Sequence, residues 1–324
     1  MKNVAVIGAG LSGVTIASLL KKKFRVKIFE KSLSVGGRMS TRKEPPFIFD
    51  HGAQYFKIEN KEFRDFLSDL LSKKIIRTWN FKCAYFEGNK LEKIKTLTSK
   101  DQIFVGVPNM DSIVKYLSKN FDIIVNTKIE KIVKKKEAWY LFDENNNKFG
   151  KYDWIILSLP AEQSLRLSNK SFSFYDLLKN IKMKNCFSLM IGLSHSPNLN
   201  YDCAIVKNKD IAWLAVNNSK PLRPKKFSIL SNSSFEYAEK NINTPRENVL
   251  TNLLNETQNL FKKDKLKINF VKLHHWMYVE TENSPKEDFF IDHERKIAVC
   301  GDWFINSRVE GAYLSASRLS KNIL

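Results

Sequence analysis

Apolar positions near the start of the chain come in two kinds of run. Val4-Ala5-Val6-Ile7 has no polar alternation and reads as a strand buried on both faces of a parallel sheet. Val14, Ile16, Ala17, Leu19 and Leu20 then recur at helical spacing, and Arg25-Val26-Lys27-Ile28-Phe29 predicts a second buried strand. The middle of the chain is patterned differently. Cys186 to Gly192, Ala212 to Val216 and Phe227 to Leu230 read as strands of an antiparallel sheet, followed by one long helical stretch from about Arg246 to Lys262. Near the end a strand closes at Val299-Cys300, and an apolar-periodic helix runs from Arg308 to Leu319. The expected architecture is α/β, a parallel unit interwoven with an α+β unit that carries an antiparallel sheet.

The 324 residues suffice for about two domains, and 43% hydrophobic with 27% charged residues is a folded rather than a disordered composition. Charge is the unusual feature: 54 Lys and Arg against 34 Asp and Glu leave +20, which would suit a polyanionic partner. Only 11 of those 54 are Arg, however. The Lys runs 21–23 and 134–136 lack the Arg and interleaved aromatics of a nucleic-acid site, so no specific nucleic acid is expected. Cys83, Cys186, Cys203 and Cys300 lie far apart, with no CxxC and no His at ligand spacing. No metal site and a reducing, cytoplasmic compartment are the expectation. No run of about 18 apolar residues suggests a membrane span.

Chemistry enters at Gly8-Ala9-Gly10-Leu11-Ser12-Gly13, a G-x-G-x-x-G placed after a strand and opening a helix. Gly8 suits the tight turn, Gly10 the approach of backbone to a pyrophosphate, and Gly13 close helix-to-strand packing. The pyrophosphate then faces the positive end of the helix dipole. Glu30 ends the second strand, twenty residues beyond Gly10, where an acid accepts hydrogen bonds from a ribose diol. A second glycine pair with an Arg, Gly36-Gly37-Arg38, supplies more N–H groups and a guanidinium for the same phosphates. That double clamp favours a held FAD over a nicotinamide cofactor in transit.

In this order the glycine fingerprint, the acid and G-G-R resemble the two-dinucleotide-binding flavoproteins. Phe49-Asp50-His51-Gly52-Ala53-Gln54-Tyr55-Phe56, Val105-Gly106-Val107-Pro108-Asn109-Met110, Gly301-Asp302 and Arg308-Val309-Glu310-Gly311-Ala312 narrow the resemblance to the renalase-like flavin oxidases. Asn109 stands where that family has Gly, and Asn tolerates the left-handed backbone such a turn can need. Residues 125–129, with Trp139 and the segment 153–160, are similar to the strands that complete the FAD sheet. Fingerprint and resemblance together assign FAD contacts to Gly8, Gly10, Leu11, Ser12, Gly13, Glu30, Lys31, Gly37, Arg38, Met39, His51, Gly52, Ala53, Gln54, Ile129, Gly301, Asp302, Val309, Glu310, Gly311 and Ala312. Residues 1–56, 104–161 and 276–324 are expected to form a Rossmann-like FAD-binding domain, and 57–103 with 162–275 the substrate domain.

The chain has no G-x-S-x-G, no metal spacing and no paired acids, and hydride transfer to a flavin needs none of them. No residue is assigned as a certain catalyst. His51, Gln54, Tyr55, Trp213, His275, Trp276 and Tyr278 are candidates for the flavin cavity. His274 and His275 read equally as ordinary sheet residues and Trp213 as a core residue. Met277 replaces the Arg of the family's W-R-Y element, which removes that charge. The resemblance implies a small-molecule substrate and dioxygen as acceptor, and in particular oxidation of the 2- and 6-dihydro isomers of NAD(P)H to NAD(P)+; noncovalent FAD is the accompanying expectation. An amine or other small-molecule oxidase of the flavin amine oxidase branch is the alternative. A basic nucleic-acid or membrane-surface binder on a flavoprotein scaffold is the non-enzyme alternative.

Overall fold

Val4, Ala5 and Val6 lose all of their surface and Ile7 nearly all, as a strand enclosed on both faces must. In the computed structural model, which describes residues 1–261 and 266–323, they belong to the strand Lys2–Ile7 of a six-stranded sheet. Its order is Asp122–Ile124, Phe24–Phe29, Lys2–Ile7, Trp154–Leu157, Ile297–Val299, Phe290–Asp292. Neighbours are parallel except the last pair. Val4 and Val6 pack with the helices Leu11–Leu20 and Val309–Ile323, and Ala5 and Ile7 pack on the other face with Trp139 and Leu141. After Lys2–Ile7 the chain winds to one side, through Phe24–Phe29, and later returns to the other, through Trp154–Leu157. The crevice beyond the carboxyl ends of those two central strands is where such sheets bind ligands.

The second sheet has seven strands: Ile268–Thr281, Met183–Leu193, Ser228–Ser233, Ile211–Val216, Cys203–Lys207, Phe81–Glu87 and Lys90–Leu97. All pairs are antiparallel except Cys203–Lys207 with Phe81–Glu87. One face is covered by the helix Arg246–Leu260 through Val249 and Leu253. The expected end of that helix, Lys262, lies outside the described residues. The other face, with Cys83, Cys203 and Ala215, shares a core with the Leu11–Leu20 helix. The two units therefore enclose common apolar surface.

Two local expectations are corrected. Residues 125–129 do not join the nucleotide sheet, because Asn126 adopts φ 52° and its N–H turns back to the Ser32 carbonyl. The strand Asp122–Ile124 before that turn takes the sheet edge, while Ile129–Lys135, Ala138–Asp143 and Lys148–Tyr152 form a separate three-stranded sheet. Asn109 is not among the described residues with positive φ, so its turn does not use the left-handed conformation. The strand holding Trp276 and Tyr278 runs unbroken from Ile268 to Thr281 in the seven-stranded sheet, across the expected division at residues 275 and 276.

Gly13 is where the helix meets the first strand turn. A Cβ there would lie 1.9 Å from the Gly8 carbonyl oxygen, closer than any real contact. Gly13→Ala is expected to push the helix off the sheet and cost about 1–3 kcal/mol. Thermal unfolding measures this, and an unchanged midpoint would show that the contact is soft.

Candidate functional site

At the carboxyl ends of the central strands, Gly8, Gly10, Leu11 and Ser12 open a cavity of about 1150 Å³. The helix Leu11–Leu20 begins without a side-chain cap and without an acid in its first turn. Its first N–H groups are thus left to an anion. The second glycine turn comes up against the first: Gly10 and Gly36 bridge, and a Cβ on Gly37 would lie 3.1 Å from the Gly10 Cα. Gly36 and Gly37 have φ 135° and 54°, which only glycine adopts freely.

Glu30 is buried and lines the same cavity. Its two oxygens accept from the backbone N–H of Ala9 and of Ser32, each at 2.8 Å. Each oxygen keeps a second lone pair for a ribose hydroxyl. Arg38 was expected on phosphate, yet its guanidinium is bound within the protein, donating to the Val279 carbonyl at 2.9 Å and pairing with Asp302. The pair joins the second glycine turn to the Gly301-Asp302 turn and neutralises Asp302 inside the cavity.

Under the seven-stranded sheet the cavity is walled by Cys186, Ser188, Asn232, His274, His275, Trp276, Met277 and Tyr278. The rings of His274 and Trp276 both lie against His51, with centroids 5.0 and 5.1 Å away. The Trp276 indole donates to the His51 carbonyl at 2.9 Å. Burial, then the charge of a protonated His274 and of Arg42, pulls the His51 imidazole down to about 3. Burial and Arg42 lower His274 to about 4, and burial, Arg246 and His274 lower His275 to about 4. His275 is held at both nitrogens, by Arg246 at Nδ1 and by the Asn185 amide oxygen at Nε2. With Arg246 donating, Nε2 carries the proton and the ring is neutral.

Several expected residues do not line the cavity. Gly13 and Gly311 act by close approach, Gly311 because a Cβ would lie 2.0 Å from the Ile305 carbonyl oxygen. Glu310 accepts from the N–H groups of Glu59 and Asn60 and so anchors another loop. Tyr55 and Trp213 contact each other, centroids 5.8 Å apart, outside the lining. Gln54 belongs to a buried ion cluster that sequence reasoning missed. The remaining positions assigned to FAD, Lys31, Met39, Gly52, Ala53, Ile129, Gly301, Val309 and Ala312 among them, face the cavity.

The missed cluster centres on Asp50. Its Oδ1 accepts from Thr41 Oγ1 at 2.8 Å and from the Met110 N–H at 3.0 Å. Its Oδ2 accepts from Arg223 at 2.6 Å and from Lys220 at 3.3 Å. The side chains of Asp50, Lys220 and Arg223 are fully buried. Burial alone would raise the Asp50 carboxyl, but Lys220, Arg223 and the Met110 N–H outweigh it and hold it at about 2. Burial pulls Lys220 down to about 8 against the attraction of Asp50. Lys220 also donates to Gln54 and Asn217, and Arg223 to the carbonyls of Pro108 and Pro221. Nothing in the local sequence pairs these residues, because 170 positions separate Asp50 from Lys220.

Fold and site together define an FAD-dependent oxidoreductase. A family model for an NAD(P)-binding Rossmann-like domain matches residues 6–70. Along its whole length the chain is renalase-like, 23% identical to renalase of Mus musculus over 352 aligned positions, which cover 99% of this chain and 98% of the mouse protein. A protein of Exiguobacterium sp. 255-15 assigned as a protoporphyrinogen oxidase has a similar structure, with TM-score 0.80 and 10% identity over 99% of this chain and 98% of that one. So does a putrescine oxidase bound to putrescine, with TM-score 0.73 and 11% identity over the same shares. These structures establish the fold. Among the described residues no helix is long and apolar enough to cross a membrane, and no group of three or more His, Cys, Asp or Glu is poised to hold a metal ion.

Asp50→Asn leaves two buried cations without their carboxylate and is expected to cost about 3–5 kcal/mol in denaturant unfolding. A loss below about 1 kcal/mol would show that the cluster is not coupled as described. The histidines set the acid response. In the unfolded chain each takes up a proton near 6.5, but His51 does so in the fold only near 3, and His274 and His275 only near 4. Between these limits the unfolded chain binds more protons, so stability falls as pH drops from 7 to 5. Replacing His274 by Asn is expected to flatten that slope in thermal scans.

Proposed function

We propose that this protein is a renalase-like flavin oxidase that oxidises the 2- and 6-dihydro isomers of NAD(P)H to NAD(P)+, with noncovalent FAD in the cavity and dioxygen as electron acceptor. The observation that carries the substrate reading is the excess of unpaired cations around the cavity. Eight Lys and Arg line it against four acids, Glu30, Asp111, Glu130 and Asp302. Three of those acids are already paired, with Lys115, Lys128 and Arg38, and Glu30 is taken by backbone N–H groups. Lys31, Arg42, Lys43 and Arg308 have no carboxylate partner among the described residues, and Arg166 donates to the Tyr278 hydroxyl. Such a lining attracts an anionic dinucleotide and repels a protonated amine, which favours the first reading over an amine oxidase.

When bound, FAD supplies the two-electron chemistry, taking hydride from the reduced substrate and passing the electrons to dioxygen to give hydrogen peroxide. The chain's residues bind and orient. In this reading Gly10, Leu11, Ser12 and Gly37 present N–H groups to the pyrophosphate, Gly8 makes the turn with its own N–H held by the Phe29 carbonyl at 2.8 Å, and Glu30 holds the ribose. The Arg38–Asp302 pair orients Asp302 toward the ribityl chain. Neutral His51, His274 and Trp276 wall the reacting chamber and keep water out. Noncovalent attachment is supported by Cys300, which is fully buried, absent from the lining, and has its thiol pushed up to about 12 by burial. Cys186 does line the cavity, but burial pushes its thiol up to about 11. Four buried, unpaired cysteines support a cytoplasmic location. We keep the domain division of residues 1–56, 104–161 and 276–324 against 57–103 and 162–275, with the strand Ile268–Thr281 shared between them.

The purified protein is expected to be yellow and to release FAD into the supernatant on acid precipitation. Mixed with the 2- or 6-dihydro isomers without oxygen, it is expected to bleach and form NAD+, while putrescine leaves the spectrum unchanged. Bleaching by the amine and not by the isomers would exchange the two readings. A protein that neither carries nor takes up FAD would defeat both.

A further inference from the structure

The floor of the cavity does not stop where the cavity does. His274, Ser188 and Asn232 occupy one cross-strand row of the seven-stranded sheet, and all three line the cavity. The row continues strand by strand through Trp213, Ile205 and Tyr85, each directly opposite the last. Directly opposed residues share a face, so this extension looks the same way as the cavity wall. Its side chains are half-buried rather than enclosed.

Three observations mark the extension. Nε1 of Trp213 is buried without an acceptor, as is that of Trp79, but Trp79 is fully enclosed whereas Trp213 is half-buried. Tyr55 lies against Trp213 at 5.8 Å between centroids, its plane tilted by 50°. Arg308 lines the cavity without a carboxylate partner among the described residues, and its charge is felt at Tyr55. Burial raises the Tyr55 phenol, and Arg308 is the cation that works against that rise. The Asn232 amide is oriented toward the same side, its oxygen held by Ser188 Oγ at 2.8 Å.

We propose that Trp213, Tyr55 and Tyr85, with Arg308, form a subsite contiguous with the cavity that holds a planar heteroaromatic ring bearing an anionic substituent. The ring stacks on Trp213, and the anion pairs with Arg308. Trp213 is thereby a ligand-contacting residue rather than core. The proposal rests on the reading of the adjoining cavity as the FAD and substrate site, but it requires no turnover.

Calorimetric titration of the FAD-loaded protein with adenosine 5′-monophosphate, adenosine and ribose 5-phosphate tests it, since bound FAD already occupies its own adenine position. One molecule of the monophosphate is expected to bind. Trp213→Leu is expected to weaken the monophosphate and adenosine alike by about tenfold or more, with ribose 5-phosphate unaffected. Trp213→Phe, which keeps a ring, is expected to retain most of the affinity and serves as the folding control. Arg308→Gln is expected to weaken the monophosphate about tenfold while leaving adenosine unchanged. Absence of monophosphate binding, or equal binding to wild type and a flavin-retaining Trp213→Leu, would overturn the subsite. Monophosphate binding with these responses, in a protein that fails to oxidise the dihydro isomers, would keep the subsite and remove the substrate reading.

Discussion

Asp50 carries a full charge out of water and survives there only because Lys220 and Arg223 are buried beside it. They come from two places: Asp50 from the segment after the second glycine turn, the two cations from the loop after the strand Ile211–Val216. Thr41 completes the carboxylate's shell from the same segment as Asp50, and the Met110 N–H from a further one. Removing any one partner leaves uncompensated charge in a medium that cannot solvate it. The antiparallel sheet is therefore fixed against the nucleotide unit by ions as well as by shared apolar surface. His51, next in sequence to Asp50, is set at the cavity wall as a consequence.

That arrangement explains why the cavity is a property of neither unit alone. Its phosphate end is built from glycine turns and a helix start, and its other end from side chains of the sheet. The Arg38–Asp302 pair closes the seam between two turns 264 positions apart. The same residues reassign the charge of the chain. Of the +20 excess, a few cations around the cavity have a place in an argument about ligands. The Lys runs at 21–23 and 134–136 are solvent-facing or half-buried and take no part in the cavity.

The nucleotide unit was legible because its information is local. A continuous apolar run, three glycines, a helical apolar period and an acid at fixed spacing each state one requirement of the same strand, turn and helix. The antiparallel sheet was legible as strands but not as an order. Its seven members are drawn from residues 81 to 281, and pairing over such distances leaves no trace in any one window. The expectation for residues 125–129 failed for a related reason: a single left-handed residue, Asn126, sends the chain out of the sheet. Apolar periodicity does not register such a turn.

Sequence by itself determined where backbone elements could meet closely, since a Cβ at position 13 would lie 1.9 Å from the Gly8 carbonyl oxygen and position 37 combines φ 54° with a 3.1 Å approach to the Gly10 Cα. It also determined which strands had to be enclosed on both faces. Tertiary structure decided what the polar side chains do. Glu310 was expected at the cofactor and instead holds a loop, Gln54 joined an ion cluster, and Arg38 went to a carboxylate rather than standing free. Backbone conformation follows from a residue and its neighbours, whereas the partner of a charge is chosen by whatever the fold brings within about 3 Å of it. That choice is written in no stretch of sequence shorter than the whole chain.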